Sequence, residues 1–167
     1  SMTKPITSVA VLMLVDEGRI DLDAPVELYL EELAGLRVYR SKIRSTRTKR
    51  SVTVRDLLRH TSGMTYGFFG DDPVDQLYME NHPLYSTNLT EMMAKVGELP
   101  LLHQPGEAFT YGISTDVLGA LVERVSEMPF EQFLQERLFE PLGMVDTGFH
   151  APDSSRLASV YEVGGGL

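Results

Sequence analysis

The sequence predicts an α+β domain that is mainly helical and has few strands. Apolar residues recur at helical spacing in several segments, and Pro or Gly residues punctuate the chain between those segments. Strand signals are confined to short stretches around residues 37–50 and 145–150. With 167 residues, 43% of them hydrophobic, the chain is long enough for one domain with a packed core.

Composition and charge exclude several classes of function. The formal net charge of −9 argues against general nucleic-acid binding, and no apolar run approaches the length of a membrane span. The absence of cysteine excludes disulfides and thiolate metal sites but leaves the compartment open, and we expect neither a metal nor a cofactor. A helix that opens at residue 1 and an ending in Gly164-Gly165-Gly166-Leu167 predict that the sequence is a piece of a larger domain.

The first predicted helix covers residues 3–17. Pro5 falls in its first turn, where proline is tolerated, and Gly18 is predicted to end it as the C′ residue. Because both sides of the helix are apolar, we expect it to be central and buried nearly all round. Its apolar positions are Ile6, Val9, Ala10, Met13 and Leu14 on one side and Val11, Leu12 and Val15 on the other.

The rest of the chain predicts shorter helices in sequence order. Thr53 is a favourable N-cap and places Asp56 in the first turn of its helix. Pro25 and Pro129 suit the first turns of two others. The predicted helices cover residues 25–33, 53–60, 89–99, 115–127 and 129–140, followed by a short strand over residues 145–150.

Two segments carry unusual composition. Residues 37–50 hold 7 of the 15 basic residues and no acidic one, which indicates either an anion or partner site or, as we favour, a solvated loop or hairpin. Residues 64–85 are predicted to be irregular and rich in aromatic side chains, and form either a folded-over loop that lines a pocket or a satellite core. Within them we predict that Tyr66 and Phe68 contact the substrate. His60, which follows an apolar pair at a helix end, is favoured as a structural histidine over a general base.

Ser1 and Lys4 are the first candidate catalytic residues. Their spacing of three places them on one helix face about one turn apart. A Ser hydroxyl becomes a strong nucleophile when a neighbouring base takes its proton, and a Lys serves if its pKa is lowered. We expect the positive end of the helix to lower the pKa of Lys4. The alternatives are an N-cap Ser followed by a solvated Lys, and a Ser left over from cloning.

Tyr111 is the second candidate. It lies between the Pro105-Gly106 turn and the helix over residues 115–127, so rigid elements fix its side chain on both sides. A phenol beside an amine can act as base toward a Ser hydroxyl and then as acid toward the leaving group. The alternative is a packed tyrosine whose hydroxyl bonds to the backbone.

Together these segments resemble the serine β-lactamase and penicillin-binding-protein superfamily, and most closely its class C-like esterase branch. The likeness runs through nearly the whole chain in the order of the family. The matching stretches are Ser1-Met2-Thr3-Lys4-Pro5-Ile6-Thr7, Val54–Gly63, Leu101–Gly106, Phe109–Gly119 and Glu140-Pro141-Leu142-Gly143-Met144.

The resemblance implies a β-lactamase/transpeptidase-like fold. Residues 1–167 would supply its helical part, with the N-terminal strands and the C-terminal sheet missing from the chain, so that the remainder of the domain is itself a partner. By the same resemblance, Ser1 is the acylated nucleophile, Lys4 its base partner and Tyr111 the second acid/base group. The implied substrate is a small-molecule ester or β-lactam.

Two departures from the family pattern bear on the substrate. Many members carry Asn two residues after the tyrosine, and its amide contacts the substrate amide in lactamases. This chain has Ile113 at that substrate-binding position, which favours esters. The third family element, a Lys-Thr-Gly-like or His-x-Gly-like strand that supplies one oxyanion-hole N–H, is absent from the sequence.

We therefore predict a serine hydrolase that forms an acyl-enzyme on Ser1, a carboxylesterase acting on small esters. The close alternative is a β-lactamase or D-Ala-D-Ala carboxypeptidase. A catalytically inactive binding module with the same fold is an alternative of another class. An N-terminal-nucleophile hydrolase ranks lower, because such an enzyme needs neither Lys4 nor Tyr111.

Overall fold

The computed structural model describes residues 2–41, 44–151 and 153–159. The helices among these residues are α1 (Thr3–Asp16), α2 (Val54–Leu58), α3 (Pro73–Asn81), α4 (Leu89–Glu98), α5 (Ser114–Ser126) and α6 (Phe130–Leu134). The described strands are β1 (Arg37–Ser41) and β2 (Arg44–Arg47). The fold is therefore mainly helical with few strands, as predicted. It divides into two compact units, residues 1–130 and 131–167.

Most predicted helices are confirmed, but two have a different form. α4 and α5 match the predictions over residues 89–99 and 115–127 closely. The predicted helix over residues 25–33 consists instead of two 3-10 turns, Val26–Leu28 and Glu31–Leu33. The helix predicted from Pro129 is α6, which continues directly into a π-helical turn at Gln135–Phe139.

α1 ends as the sequence predicts. Gly18 has a φ of +72°, and its N–H donates to the carbonyl of Val15 at 2.8 Å. The N–H of Arg19 donates to the carbonyl of Leu14 at 2.9 Å. These two bonds satisfy the last carbonyls of the helix in the Schellman arrangement, which requires a left-handed residue at Gly18.

The central helix of the first unit is α5 and not α1. α1, α2 and α4 all contact α5, and its Val117, Leu118 and Leu121 are fully buried. On α1, by contrast, Val9 and Leu12 are 42% and 44% exposed. The prediction that α1 is buried nearly all round is wrong for the described residues, because α5 covers one face of α1 and leaves the opposite side open.

β1 and β2 form an antiparallel hairpin in which Arg37 lies opposite Arg47. The hairpin is hydrogen-bonded to the segment at Leu101, whose N–H donates to the carbonyl of Arg37 at 2.8 Å. The favoured interpretation of the basic stretch as a solvated hairpin is confirmed for its described residues. Lys49 at its end pairs with Glu107 at 2.8 Å, so part of the positive charge is neutralised within the chain.

α2 begins with a capping box at the predicted N-cap. Thr53 accepts a hydrogen bond from the N–H of Asp56 at 3.2 Å, and the Asp56 carboxylate accepts from the N–H of Thr53 at 3.0 Å. Burial raises the pKa of Asp56, but hydrogen bonds from Arg50 and Thr53 outweigh burial and lower it from 3.8 to about 2. The start of α2 is therefore tied to the end of the basic stretch.

The prediction that residues 64–85 are irregular is confirmed for residues 64–72 and is wrong for residues 73–81, which form α3. Asp72 caps α3, because its carboxylate accepts a hydrogen bond from the N–H of Val74 at 2.9 Å. The Asp75 carboxylate accepts from the N–H of Asp72 at 3.2 Å, which completes a capping box. Pro73 occupies the favourable first position. The start signal was present, but a helix of nine residues is too short to show a clear apolar period.

The short strand predicted over residues 145–150 in the second unit is also wrong. The N–H of Val145 donates to the carbonyl of Gly143 at 3.0 Å, and that of Thr147 donates to the carbonyl of Met144 at 3.1 Å. Backbone groups that bond within two or three residues form turns and are withdrawn from strand pairing. Within the described ranges, no helix combines the length and apolar content needed to cross a bilayer.

Candidate active site

Lys4 and Tyr111 lie together at the mouth of α1. Lys4 is in the first turn, and its Nζ lies 4.7 Å from the centroid of the Tyr111 ring. The same Nζ lies 5.7 Å from the centroid of the Tyr66 ring. Three of the predicted site residues, which are distant in the sequence, are thus brought to one place. Ser1 lies outside the described residues, so its role stays a prediction; the N-cap position of α1 is Met2, which provides no capping side chain.

Backbone contacts fix the segment that carries Tyr111. The N–H of Thr110 donates to the carbonyl of His60 at 2.8 Å. Gly112 packs directly on the chain at Met64 and Thr65, where a Cβ on Gly112 would stand 2.7 Å from the Cα of Thr65. Because Tyr111 lies between these two anchors, its ring has a defined position beside Lys4.

Aromatic rings surround Tyr111 on the side of the 64–69 loop. The Tyr66 ring meets Tyr111 edge-on at a centroid distance of 5.5 Å, and Phe69 lies 5.7 Å from Tyr111. Phe68 stacks on Tyr66 at 5.2 Å with an interplanar angle of 18°. The predicted substrate residues Tyr66 and Phe68 therefore lie at the site, and Phe69 joins them.

The pKa of Lys4 is raised above its ordinary value. Burial lowers it, but the side-chain hydrogen bonds with Tyr111 and Tyr66, together with the phenolate charges of these residues, raise it more. The expectation of a lowered Lys4 pKa is therefore wrong. The helix end repels the ammonium, but two phenol oxygens within reach stabilise it more strongly.

Asp116 belongs to the site and was missed by the sequence reasoning. The Tyr66 hydroxyl donates to its Oδ2 at 3.3 Å. Burial raises the pKa of Asp116 in spite of this hydrogen bond and the charge of Lys4. Burial likewise raises the pKa of Tyr66, and the Asp116 charge adds to this. In the sequence Asp116 is indistinguishable from an ordinary acidic residue in the first turn of a helix.

His60 packs against the back of Tyr111. Its ring lies 5.3 Å from the Tyr111 ring and 5.8 Å from that of Phe109, with Nε2 3.5 Å from Thr115 Oγ1. Burial and the nearby Lys4 charge lower the pKa of His60, which keeps the imidazole neutral near pH 7. This packing agrees with the favoured structural interpretation.

Ile113 occupies a different environment from the one expected of a substrate contact. Its side chain is fully buried at the N-cap position of α5. Next to it the hydroxyls of Ser62 and Ser114 are 2.8 Å apart and also buried. The geometry therefore gives Ile113 a packing role and argues against direct contact with a bound substrate.

The described part of the chain contains no group of three or more His, Asp or Glu residues placed to hold a metal ion. The chemistry available at the site comes from an ammonium, two phenols and a partly buried carboxyl group.

Comparisons with known proteins agree with this arrangement. The profile of the Beta-lactamase family matches residues 1–165. Esterase EstB of Burkholderia gladioli is 35% identical over 167 residues, which cover 98% of this chain and 41% of EstB. Monacolin J acid methylbutanoyltransferase of Aspergillus terreus is 33% identical, over 89% of this chain and 37% of the transferase.

Among solved structures, that of EstCE1, described as a hydrolase with promiscuous acyltransferase activity, superposes with a TM-score of 0.79. It is 27% identical, with 96% of this chain and 41% of EstCE1 covered. The chain thus spans about two fifths of the length of these relatives. Its fold is β-lactamase/transpeptidase-like, and the chain belongs to the Beta-lactamase family.

Proposed function

We propose that this chain carries the nucleophile side of a serine acyl-transfer enzyme, most simply a carboxylesterase on small esters that forms an acyl-enzyme on Ser1. The observation that carries the proposal is the Lys4 ammonium beside the Tyr111 ring, 4.7 Å from Nζ to ring centroid, one helical turn from Ser1 in sequence. The names of the relatives, an esterase and an acyltransferase, support acyl transfer.

The raised pKa of Lys4 and its position beside the Tyr111 ring support one assignment of the proton transfers. Lys4 keeps its proton at neutral pH and is therefore a poor base. Its positive charge instead favours the phenolate form of Tyr111, which takes the proton from Ser1 Oγ as that oxygen attacks the ester carbonyl carbon. Tyr111 then returns the proton to the departing alcohol, and a water activated in the same way releases the carboxylic acid.

Ester substrates are favoured over β-lactams because the position of the family asparagine is filled by buried Ile113. Without an amide there, the site lacks the group that pairs with a substrate amide in lactamases, and an ester has no N–H to pair. A transfer to an alcohol in place of water is the second candidate, since the relatives include a methylbutanoyltransferase and EstCE1.

We also propose that residues 1–167 form the helical part of a β-lactamase-like domain. The structure of EstCE1 is matched over 41% of its own length, and the family likeness covers residues 1–165. The remaining oxyanion-hole donor then comes from outside these residues, so activity is to be measured on the intact protein.

Labelling with a fluorophosphonate or penicillin probe tests the proposal. We expect a covalent adduct on Ser1 in the intact protein and none in Ser1→Ala. Labelling that survives Ser1→Ala removes Ser1 as nucleophile, and no labelling at all favours the inactive binding module. Turnover of nitrocefin faster than that of p-nitrophenyl butyrate would overturn the preference for esters.

A further inference from the structure

A pocket of about 260 Å³ opens beside Tyr66. One wall comes from the loop before α3, one from α3 itself, and one from the turn Pro83–Tyr85 that follows it. Its lining includes Tyr66, Phe68, Tyr78, Met79, His82 and Leu84.

The pocket is continuous with the candidate active site. Tyr66 lines the pocket and also contacts Tyr111 at 5.5 Å and lies under the Lys4 ammonium. Phe68, another residue of the pocket wall, stacks on Tyr66 at a centroid distance of 5.2 Å. Tyr66 is therefore shared by the pocket and by the cluster of Lys4 and Tyr111, so a group bound in the pocket lies next to that cluster.

The pocket lining is mainly apolar, and its polar groups are tyrosine hydroxyls and the His82 imidazole. None of the residues lining it supplies a carboxylate, an ammonium or a guanidinium group. An apolar pocket next to groups that perform chemistry is typical of a ligand-binding site.

Contacts with α3 hold the pocket wall at residues 65–68 in place without a ligand. Gly67 has a φ of +90°, and a Cβ there would stand 2.8 Å from the carbonyl oxygen of Asp75 on α3. Thr65 Oγ1 donates to the Asp75 carboxylate at 2.5 Å. The two residues that flank Gly67 are Tyr66 and Phe68, so the loop is fixed on α3 with both aromatic rings in place. A preformed wall reduces the ordering cost of binding.

We infer that this pocket binds a bulky, apolar, uncharged group of the ester substrate, either its acyl or its alcohol part. The inference rests on the proposed function and adds the substrate class: esters with a long aliphatic or an aromatic portion are preferred over short ones. A larger ester is preferred because it buries more apolar surface against the pocket wall.

The test compares ester pairs in the intact protein by acid release at constant pH. One arm compares ethyl octanoate with ethyl acetate, which enlarges the acyl part. The other compares 2-phenylethyl acetate with ethyl acetate, which enlarges the alcohol part. We expect kcat/KM to favour the larger ester by about tenfold or more in one of the two arms.

The variant Leu84→Glu places a carboxylate in the pocket and is expected to reduce that ratio about tenfold, because the charge must be desolvated when the apolar group enters. The matched control is Leu28→Glu, a leucine 72% exposed outside the pocket, which adds the same charge and leaves the ratio unchanged. An unchanged ratio in Leu84→Glu overturns the inference, as does hydrolysis with no preference in either arm.

A binding measurement separates this inference from the proposed function. If no ester is hydrolysed, the proposed function fails, and the pocket is tested with 2-phenylethanol by calorimetry or nuclear magnetic resonance. Affinity that falls about tenfold in Leu84→Glu but not in Leu28→Glu supports the pocket. Equal affinity in the two variants, or no binding by the unmodified protein, overturns it.

Discussion

Gly112 lies against Thr65 so closely that a Cβ on Gly112 would stand 2.7 Å from the Thr65 Cα. The residues adjacent to this contact are Tyr111 and Tyr66, whose rings meet edge-on. The close approach of two backbone segments therefore places both phenols around the Lys4 ammonium.

Gly112→Ala is expected to separate these segments. The added methyl group forces the backbone apart, which should reduce the free energy of unfolding by about 1–3 kcal/mol and lower the rate of acylation. Denaturant unfolding and probe labelling measure the two effects. Gly119→Ala on α5 is the control, because its Cβ meets the Phe130 ring at an ordinary 3.5 Å and alanine favours a helix by up to about 1 kcal/mol. Equal stability of the two variants would contradict the role of Gly112.

Tyr111→Phe tests the phenol itself. The variant keeps the ring that packs on Tyr66, Phe69 and His60 but removes the hydroxyl. We expect kcat/KM for an ester to fall by about 10²–10⁴-fold with little change in stability, the range found for loss of a general acid–base. Tyr39→Phe on β1, away from the site, is the matched control. Activity retained in Tyr111→Phe would remove the phenol from the mechanism.

Local signals account for the parts of the fold that the sequence predicts well. Gly18 ends α1, and Thr53 with Asp56 starts α2, because each signal acts within four residues. The exposed face of α1 depends on which elements pack against it, so the apolar residues alone could not predict it. α3 gives a weaker signal: Asp72 marks its start, but nine residues are too few to show a clear apolar period.

The candidate site could be predicted from the sequence only in part. Spacing makes Lys4 a candidate, its position between rigid elements makes Tyr111 another, and the family resemblance implies their roles. Their proximity is a tertiary relationship that no local pattern contains. The pKa of Lys4 depends on two phenols contributed by distant segments, so helix geometry alone gave the wrong direction. Asp116 was missed because only the folded chain brings Tyr66 to it.

Asp116→Asn should increase stability at neutral pH. Burial raises the pKa of Asp116, so the folded state binds a proton more tightly than the unfolded state. Stability then falls as the pH rises from the unfolded value near 3.8 through the raised folded value, and an asparagine avoids this loss while still accepting the Tyr66 hydrogen bond. Denaturant unfolding compares the free energy of unfolding of the variant and the parent at pH 7 and at pH 3. The variant should be more stable at pH 7 and equally stable at pH 3. A variant less stable than the parent at pH 7 would contradict it.

Asp56→Asn should have the opposite effect and lower the stability at neutral pH. The pKa of Asp56 is lowered from 3.8 to about 2, so its contribution is present above about pH 4 and is lost as the pH falls toward 2. Its partner Arg50 is partly exposed, and after allowance for solvent screening we expect the variant to lose about 1–2 kcal/mol at pH 7. The control Asp23→Asn removes a solvent-exposed pair with Arg55 and should change stability little. If acid titration of stability is the same in Asp56→Asn and in the parent, Asp56 does not carry this pH dependence.

Ile113→Asn restores the residue type found in many family members and separates packing from substrate contact. Ile113 is fully buried, so an asparagine there loses apolar contacts and places an amide where burial costs stability unless the amide finds partners. We expect a loss of about 2–4 kcal/mol in the free energy of unfolding and no gain in nitrocefin turnover. The matched control is Ile113→Val, which keeps the apolar surface and should cost about 1 kcal/mol. A stable Ile113→Asn protein that hydrolyses nitrocefin would mean that this side chain faces the substrate, and that one residue suffices to turn the site from esters toward β-lactams.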